Sequence, residues 1–229
     1  MSDDPSRRGL IEGRAAAVRI ENLDTDQIMP KQFLRGIDKS GLAPGLLYDL
    51  RFDRDGRARP DFVLNRSGFE GASILIAGAN FGCGSSREHA VWGLQQYGVR
   101  AVIAPSFGEI FYSNALNNGL LAAMLPESEV ARLMRDADEL TADICIDVRA
   151  LTVRSATGAC AFTLSPRHQR MVIEGLDVIG LSLTHQAQID EFAARHWARH
   201  PWLRDVAAVT SAALPGRTAR KGRVSDPPG

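Results

Sequence analysis

Ser73-Ile-Leu-Ile-Ala-Gly-Ala-Asn80-Phe-Gly-Cys-Gly-Ser85-Ser-Arg-Glu-His-Ala90-Val-Trp-Gly-Leu-Gln-Gln-Tyr-Gly98 reads as strand, glycine-rich turn and helix. Ile74, Leu75 and Ile76 make an apolar run of strand length, and Gly82 and Gly84 free the backbone to turn sharply or to approach a ligand closely. Ser85 and Glu88 have the S-x-x-E spacing of a capping box, which predicts a helix starting at Ser85. Ala90, Leu94 and Tyr97 continue one helical face, and Gly98 is its expected stop. Such a turn aims free N–H groups and the positive end of a helix dipole at whatever sits above Gly84 and Ser85. Arg87 adds a full charge able to hold a carboxylate in two-point fashion, so the guest these residues suit is a small polycarboxylate or a phosphate. Taken alone, they leave open the plainer reading, in which Ser85 only caps a helix and Arg87 is a solvated charge.

The flanking chain extends the pattern. Downstream, Arg100–Pro105 reads as a second buried strand, and Ser106 and Glu109 repeat the cap spacing before a helix ending near Asn118-Gly119. Strand, helix, strand, helix in this order predicts parallel strands joined by right-handed crossovers. Leu120–Leu125 is strand-like, and Pro126–Leu140 is an amphipathic helix with Val130, Leu133, Met134 and Ala137 on one face. Alternating residues around Thr157-Gly158 predict a hairpin, Ser165-Pro166 starts a helix, and Ser182–Arg199 carries another. Upstream, a first strand is expected between Glu12 and Ile20. The cluster Asn22–Pro30 reads as an Asx-type turn, Lys31–Leu50 as short helical turns, and Arg51–Arg66 as a surface loop.

The fold class is α/β: a single domain over residues 11–200, with a flexible N-terminus at 1–10 and a disordered C-terminal tail at 201–229, where Ala, Arg, Gly, Ser and Pro take over. Lysine plus arginine equals aspartate plus glutamate at 27 each in the 229 residues, so no overall field calls for nucleic acid or an acidic membrane. With no long apolar run and no signal-like start, a cytoplasmic location is expected. Cys83, Cys145 and Cys160 are far apart and form no C-x-x-C, which argues against a disulfide framework or a metal site in this chain. Cys145 and Cys160 are read as buried inert thiols. Cys83, beside a helix start and an arginine, is weighed as a nucleophile.

Asn80–Ala90 resembles the signature of the small subunits of 3-isopropylmalate dehydratases, a branch of the aconitase family. Asn22–Leu34, Ala104–Leu121 and Gly175–Leu183 are similar to three further stretches of that family in the same order, so the likeness spans roughly residues 10 to 197. The resemblance implies a swivelling β/β/α domain that works with a separate large subunit carrying a [4Fe-4S] cluster, this chain binding no cofactor itself. It implies a hydro-lyase reaction on a small dicarboxylate, 2-isopropylmalate being isomerised through 2-isopropylmaleate. It also implies catalytic roles for Ser85, as an alkoxide base, and for Ser86 and Arg87, with no nucleophilic role for Cys83. Gly84, Thr25, Lys31, Phe33, Leu34 and Ile37 become the substrate-binding candidates, the last three being equally open to a core role. The sequence departs from the family at Arg167–Met171 and at Val91. That leaves open paralogues acting on citraconate, dimethylmaleate or homoaconitate-like acids, and outside the class a non-catalytic anion-binding module.

Overall fold

The computed structural model describes residues 8–34, 40–138 and 143–213. Its elements are β1 (Leu10–Gly13), β2 (Ala15–Val18), α1 (Thr25–Ile28), α2 (Tyr48–Arg51), β3 (Ile74–Ala77), α3 (Glu88–Tyr97), β4 (Ala101–Ala104), α4 (Glu109–Asn117), β5 (Leu121–Met124), α5 (Glu127–Asp138), β6 (Ile144–Asp147), β7 (Thr152–Ser155), β8 (Gly158–Ala161), α6 (Pro166–Glu174), α7 (Val178–Leu183), α8 (Gln186–Arg199) and α9 (Val206–Ala213). Contacts divide the chain into two compact units, one up to Leu181 and one from Ser182.

In the first unit β2, β3, β4 and β5 form a parallel sheet in that order, with Ile74 paired to Ala15 on one side and Ala101 on the other. Its strands are short and almost wholly apolar because both faces are covered. Successive residues feed two cores. Ala16, Val18, Leu75, Ala77, Val102 and Ala104 pack against Ala90, Val91 and Leu94 of α3 and Phe111 and Ala115 of α4. Ala15, Ala17, Ile74, Ile76, Ala101 and Ile103 face the other way, onto Ile11, Ile144, Ile146 and Val153 of the second sheet and onto Val130, Leu133, Met134 and Ala137 of α5. That second sheet is antiparallel, in the order β1-β6-β7-β8. The layers are therefore antiparallel sheet, parallel sheet and helices, the β/β/α class expected. Ile74, Leu75 and Ile76 are fully buried, each worth about 1.5–3 kcal/mol of apolar burial.

Some expectations for the first unit change. The single strand read between Glu12 and Ile20 is two strands, because the chain crosses from one sheet to the other at Arg14 and the apolar run divides between them. Neither S-x-x-E pair forms a capping box: α3 begins at Glu88 with Arg87 as N-cap, and α4 begins at Glu109 with Gly108 as N-cap. The hydroxyls of those serines stand outside the first helical turn, where tertiary contacts decide their use.

Strand β1 starts at Leu10, and residues 1–7 lie outside the described residues. The second unit consists of α8, a 3-10 turn at Pro201–Leu203 and α9. A helix thus occupies Val206–Ala213 in the stretch whose composition suggests disorder, while 214–229 lies outside the described residues.

Candidate active site

In open parallel sheets the loops beyond the carboxyl ends of the strands are the usual ligand position. Here the loops after β2, β3 and β4 meet there, laced by backbone hydrogen bonds. Gly82 N–H donates to the Leu23 carbonyl at 2.7 Å, Thr25 N–H to Cys83 at 2.9 Å, Phe81 N–H to Ser106 at 3.1 Å and Gly108 N–H to Phe81 at 2.9 Å. Gly82 has φ +74, and a Cβ on it would stand 2.2 Å from the Phe111 ring, so both conformation and space require glycine. Phe81 is fully buried, edge-on to the rings of Phe107 and Phe111, and ties the turn to the core.

Gly84 (φ +92) then lifts the chain so that Gly84, Ser85 and Ser86 are exposed. Ser85 is held by its backbone. Its N–H donates to Thr25 Oγ1 at 3.1 Å, its carbonyl accepts from the same hydroxyl at 3.1 Å, and Arg87 N–H donates to that carbonyl at 2.8 Å. The last bond closes a three-residue turn and displaces the helix start to Glu88. Released from capping, the hydroxyls of Ser85 and Ser86 have no hydrogen-bond partner among the described residues. The first N–H groups of the ten-residue helix α3 follow directly.

Arg87 is mostly buried and pairs through Nη1 with Asp26 Oδ1, while Lys31 Nζ lies 3.8 Å from Asp26 Oδ2. Asp26 thus stands between two cations, and the trio carries a net charge of +1. In the sequence Asp26 looks like one more turn-former. Its signal is the isolated Arg87, whose partly buried guanidinium needs an acid. The three adjacent polar residues have divided roles. Asp24 caps α1, accepting from Gln27 N–H at 2.7 Å while Gln27 Oε1 accepts from Asp24 N–H at 3.1 Å; Thr25 turns to Ser85; Asp26 turns to Arg87.

Of the other substrate-binding candidates, Lys31 is exposed at the head of a 3-10 turn, Lys31–Phe33. Phe33 is half-buried, 5.1 Å from the Tyr48 ring and tight against Gly45, and Leu34 is half-buried at the margin of the same core. Ile37 lies outside the described residues. Thr25 is 1% exposed, below Ser85 rather than on the open face. The Cys83 thiol donates to the Asn22 carbonyl at 3.3 Å, Cys145 and Cys160 are half-buried, and burial pushes the Cys160 thiol up from its ordinary pKa. In the atypical 167–171 segment His168 packs edge-on to Tyr112. Burial raises the phenol's pKa, and burial followed by the charge of Arg167 lowers that of the imidazole. Among the described residues no three His, Cys, Asp or Glu side chains come together as a metal would require, and no helix is long and apolar enough to cross a membrane.

Residues 10–128 match the family described as the aconitase C-terminal domain. The chain is 61% identical over 201 residues to 3-isopropylmalate dehydratase small subunit 1 of Chromobacterium violaceum, covering 87% of this chain and 95% of that protein. It is 47% identical over 194 residues to the 3-isopropylmalate dehydratase small subunit of Phenylobacterium zucineum, covering 84% and 96%. Among solved structures it resembles that of 3-isopropylmalate dehydratase (LeuD) from Methanocaldococcus jannaschii, with a TM-score of 0.58, 29% identity, and coverage of 80% of this chain and 99% of that one.

Proposed function

Because the chain belongs to the aconitase C-terminal-domain family and, within it, to the 3-isopropylmalate dehydratase small subunits, we propose that it is the small subunit of the heteromeric hydro-lyase that interconverts 2-isopropylmalate and 3-isopropylmalate through 2-isopropylmaleate in leucine biosynthesis. The reaction moves one proton and one hydroxide. A base takes a carbon-bound proton, the freed electron pair becomes the C=C bond, and hydroxide leaves the neighbouring carbon; addition of water in the opposite sense yields the isomer.

The observation that carries the reading for this chain is the Ser85 hydroxyl, exposed and unpartnered on a backbone held at three points, beside Arg87 and the start of α3. A serine hydroxyl is a poor base in water, so its charged form must be stabilised by the surroundings. Arg87 and the unpaired N–H groups of the first turn supply positive potential where that charge develops. Asp26 engages one edge of the guanidinium, and the remaining N–H donors suit a substrate carboxylate. In this reading Ser86 hydrogen-bonds the substrate, Gly84 admits it close to the backbone, and Lys31 adds charge at the rim. Phe33 and Leu34, with Ile37, are proposed to meet the isopropyl group.

The exposure of Gly84–Ser86 means that another surface must close the site, which is the role proposed for the large subunit. The [4Fe-4S] cluster implied by the family fits none of this chain's described residues, so its ligands are proposed to belong to that partner. Action in the cytoplasm belongs to the same proposal.

The test is anaerobic co-expression with a cluster-bearing large subunit, following hydration of 2-isopropylmaleate with the wild-type chain and with Ser85→Ala. Turnover that needs both chains and collapses in Ser85→Ala is the expected result. Turnover that survives the substitution removes Ser85 as base. A stable complex with an intact cluster and no turnover points to another 2-hydroxy diacid. Tight anion binding by the isolated chain without turnover in any complex points to a binding module.

A further inference from the structure

Thr25 is buried to within 1% of complete exclusion from solvent, yet its hydroxyl is spent on one neighbour, giving its proton to the Ser85 carbonyl and accepting the Ser85 N–H, each at 3.1 Å. The arrangement continues a ladder. Gly82 N–H to the Leu23 carbonyl and Thr25 N–H to the Cys83 carbonyl are rungs between two parallel segments, and Asp24 and Cys83 form a bridge of parallel type. After Thr25 the first segment turns into α1 and can offer no further rung, because its backbone carbonyl takes Met29 N–H. The side-chain hydroxyl replaces the missing rung with a donor and an acceptor on one atom. A β-branched side chain has few χ1 choices, so this oxygen is held more firmly than a serine hydroxyl would be.

On this basis we infer that Thr25 is a positioning residue, which sets the peptide planes on both sides of Ser85 and thereby aims the Ser85 hydroxyl. The inference rests on the reading of Ser85 as the base. Thr25 touches no substrate, because its one polar side-chain atom is committed beneath the turn and its backbone N–H and carbonyl are paired to Cys83 and Met29. Nothing else described holds the Ser85 N–H, while its carbonyl keeps the Arg87 N–H. Loss of the hydroxyl therefore frees the peptide on the Gly84 side, where the absence of a Cβ gives the chain latitude to swing.

The experiment uses the reconstituted two-subunit enzyme with Thr25→Val, which keeps the shape and removes the hydroxyl, and Thr25→Ser, which keeps the hydroxyl. Equal amounts of assembled complex and equal melting temperatures are checked first. Misplacement of a reacting group by about 1 Å costs on the order of a hundredfold in rate. Thr25→Val is accordingly expected to lower kcat by about 10- to 100-fold with KM changed by less than about threefold. Thr25→Ser is expected to recover most of the loss. In single-turnover measurements with enzyme in excess, Thr25→Val is expected to add nothing in a Ser85→Ala background.

An unchanged kcat in Thr25→Val, alongside an inactive Ser85→Ala, would overturn the inference while leaving the base assignment standing. A raised KM at constant kcat would also overturn it and make Thr25 a substrate contact. A loss in Thr25→Ser as large as that in Thr25→Val would show that the hydroxyl does not by itself set the Ser85 backbone, and would overturn the inference. Full activity of Ser85→Ala would remove the base assignment itself, and the inference with it.

Discussion

Two aspartate–arginine pairs in the first unit have the same chemistry and opposite fates. Asp136 on α5 is 5% exposed, and accepts from Ser155 Oγ at 2.6 Å, Thr157 Oγ1 at 2.7 Å and Arg132 Nη1 at 3.3 Å. Arg132 in turn holds Glu129 at 2.8 Å, Ser155 at 2.7 Å and Thr157 at 3.0 Å. The group ties α5 to the β7–β8 hairpin and spends most of its donors on its own members. Burial pushes the Asp136 carboxyl up, but the two hydroxyls and Arg132 outweigh it and hold the pKa below the ordinary value. Asp26 and Arg87 are by contrast 42% and 24% exposed, with Lys31 close by and two unpartnered hydroxyls alongside. A saturated polar cluster stabilises; an unsaturated one, held by a rigid backbone, is able to bind.

The sharpest way to break that comparison is to remove one group from each side. Ser85→Ala in the assembled enzyme is expected to lower kcat by about 10²- to 10⁴-fold while the melting temperature stays within about 2 °C, because the proposed base is lost and no contact within the chain is. Asp136→Ala should do the reverse. Breaking a buried pair costs about 3 kcal/mol, which at this size lowers the melting temperature by roughly 6–12 °C in a thermal scan, with kcat per assembled complex unchanged. A large activity loss in Asp136→Ala at full assembly would end that division of labour.

Asp26→Asn should be intermediate. Arg87 keeps a neutral partner but loses its counter-charge, so KM for the dicarboxylate is expected to change by about tenfold, with a stability effect below about 1 kcal/mol as for exposed pairs. The smallest effect concerns pH. Since the folded-state pKa of Asp136 is lowered, the folded protein binds fewer protons there, and the stabilisation is present above the unfolded value of about 3.9. It is lost as the pH falls through the folded value. Denaturant melts below about pH 4 should show a steeper loss of stability in wild type than in Asp136→Asn. Equal slopes would mean that the cluster does not hold its charge.

Several features needed nothing but the chain itself. The runs Ile74–Ala77 and Ala101–Ala104, too apolar to face water on either side, determined buried parallel strands, and the spacing of Val130, Leu133, Met134 and Ala137 determined α5. Gly82 and Gly84 marked the sharp turn correctly, because conformations with positive φ are a property of the residue. Ser85, Ser86 and Arg87 could be singled out by residue type and by family resemblance. The strands, α5 and the turn rest on local periodicity or on the intrinsic chemistry of one residue, and the choice of Ser85, Ser86 and Arg87 rests on the family pattern besides.

What only the tertiary structure decided is where the polar atoms point. Ser85 and Glu88 have capping-box spacing, but the capping bond competes with the Thr25 hydroxyl 60 positions away and with the Arg87 N–H, and those win. Asp24, Thr25 and Asp26 look alike as turn-formers, yet one caps a helix, one holds the Ser85 backbone and one pairs with Arg87. The crossing from one sheet to the other at Arg14 was equally hidden inside one apolar run. Hydrophobic burial follows pattern because it is non-directional and additive along a face. A hydrogen bond depends on the position of its partner to a few tenths of an ångström, and when that partner comes from a distant loop only the assembled layers can supply it.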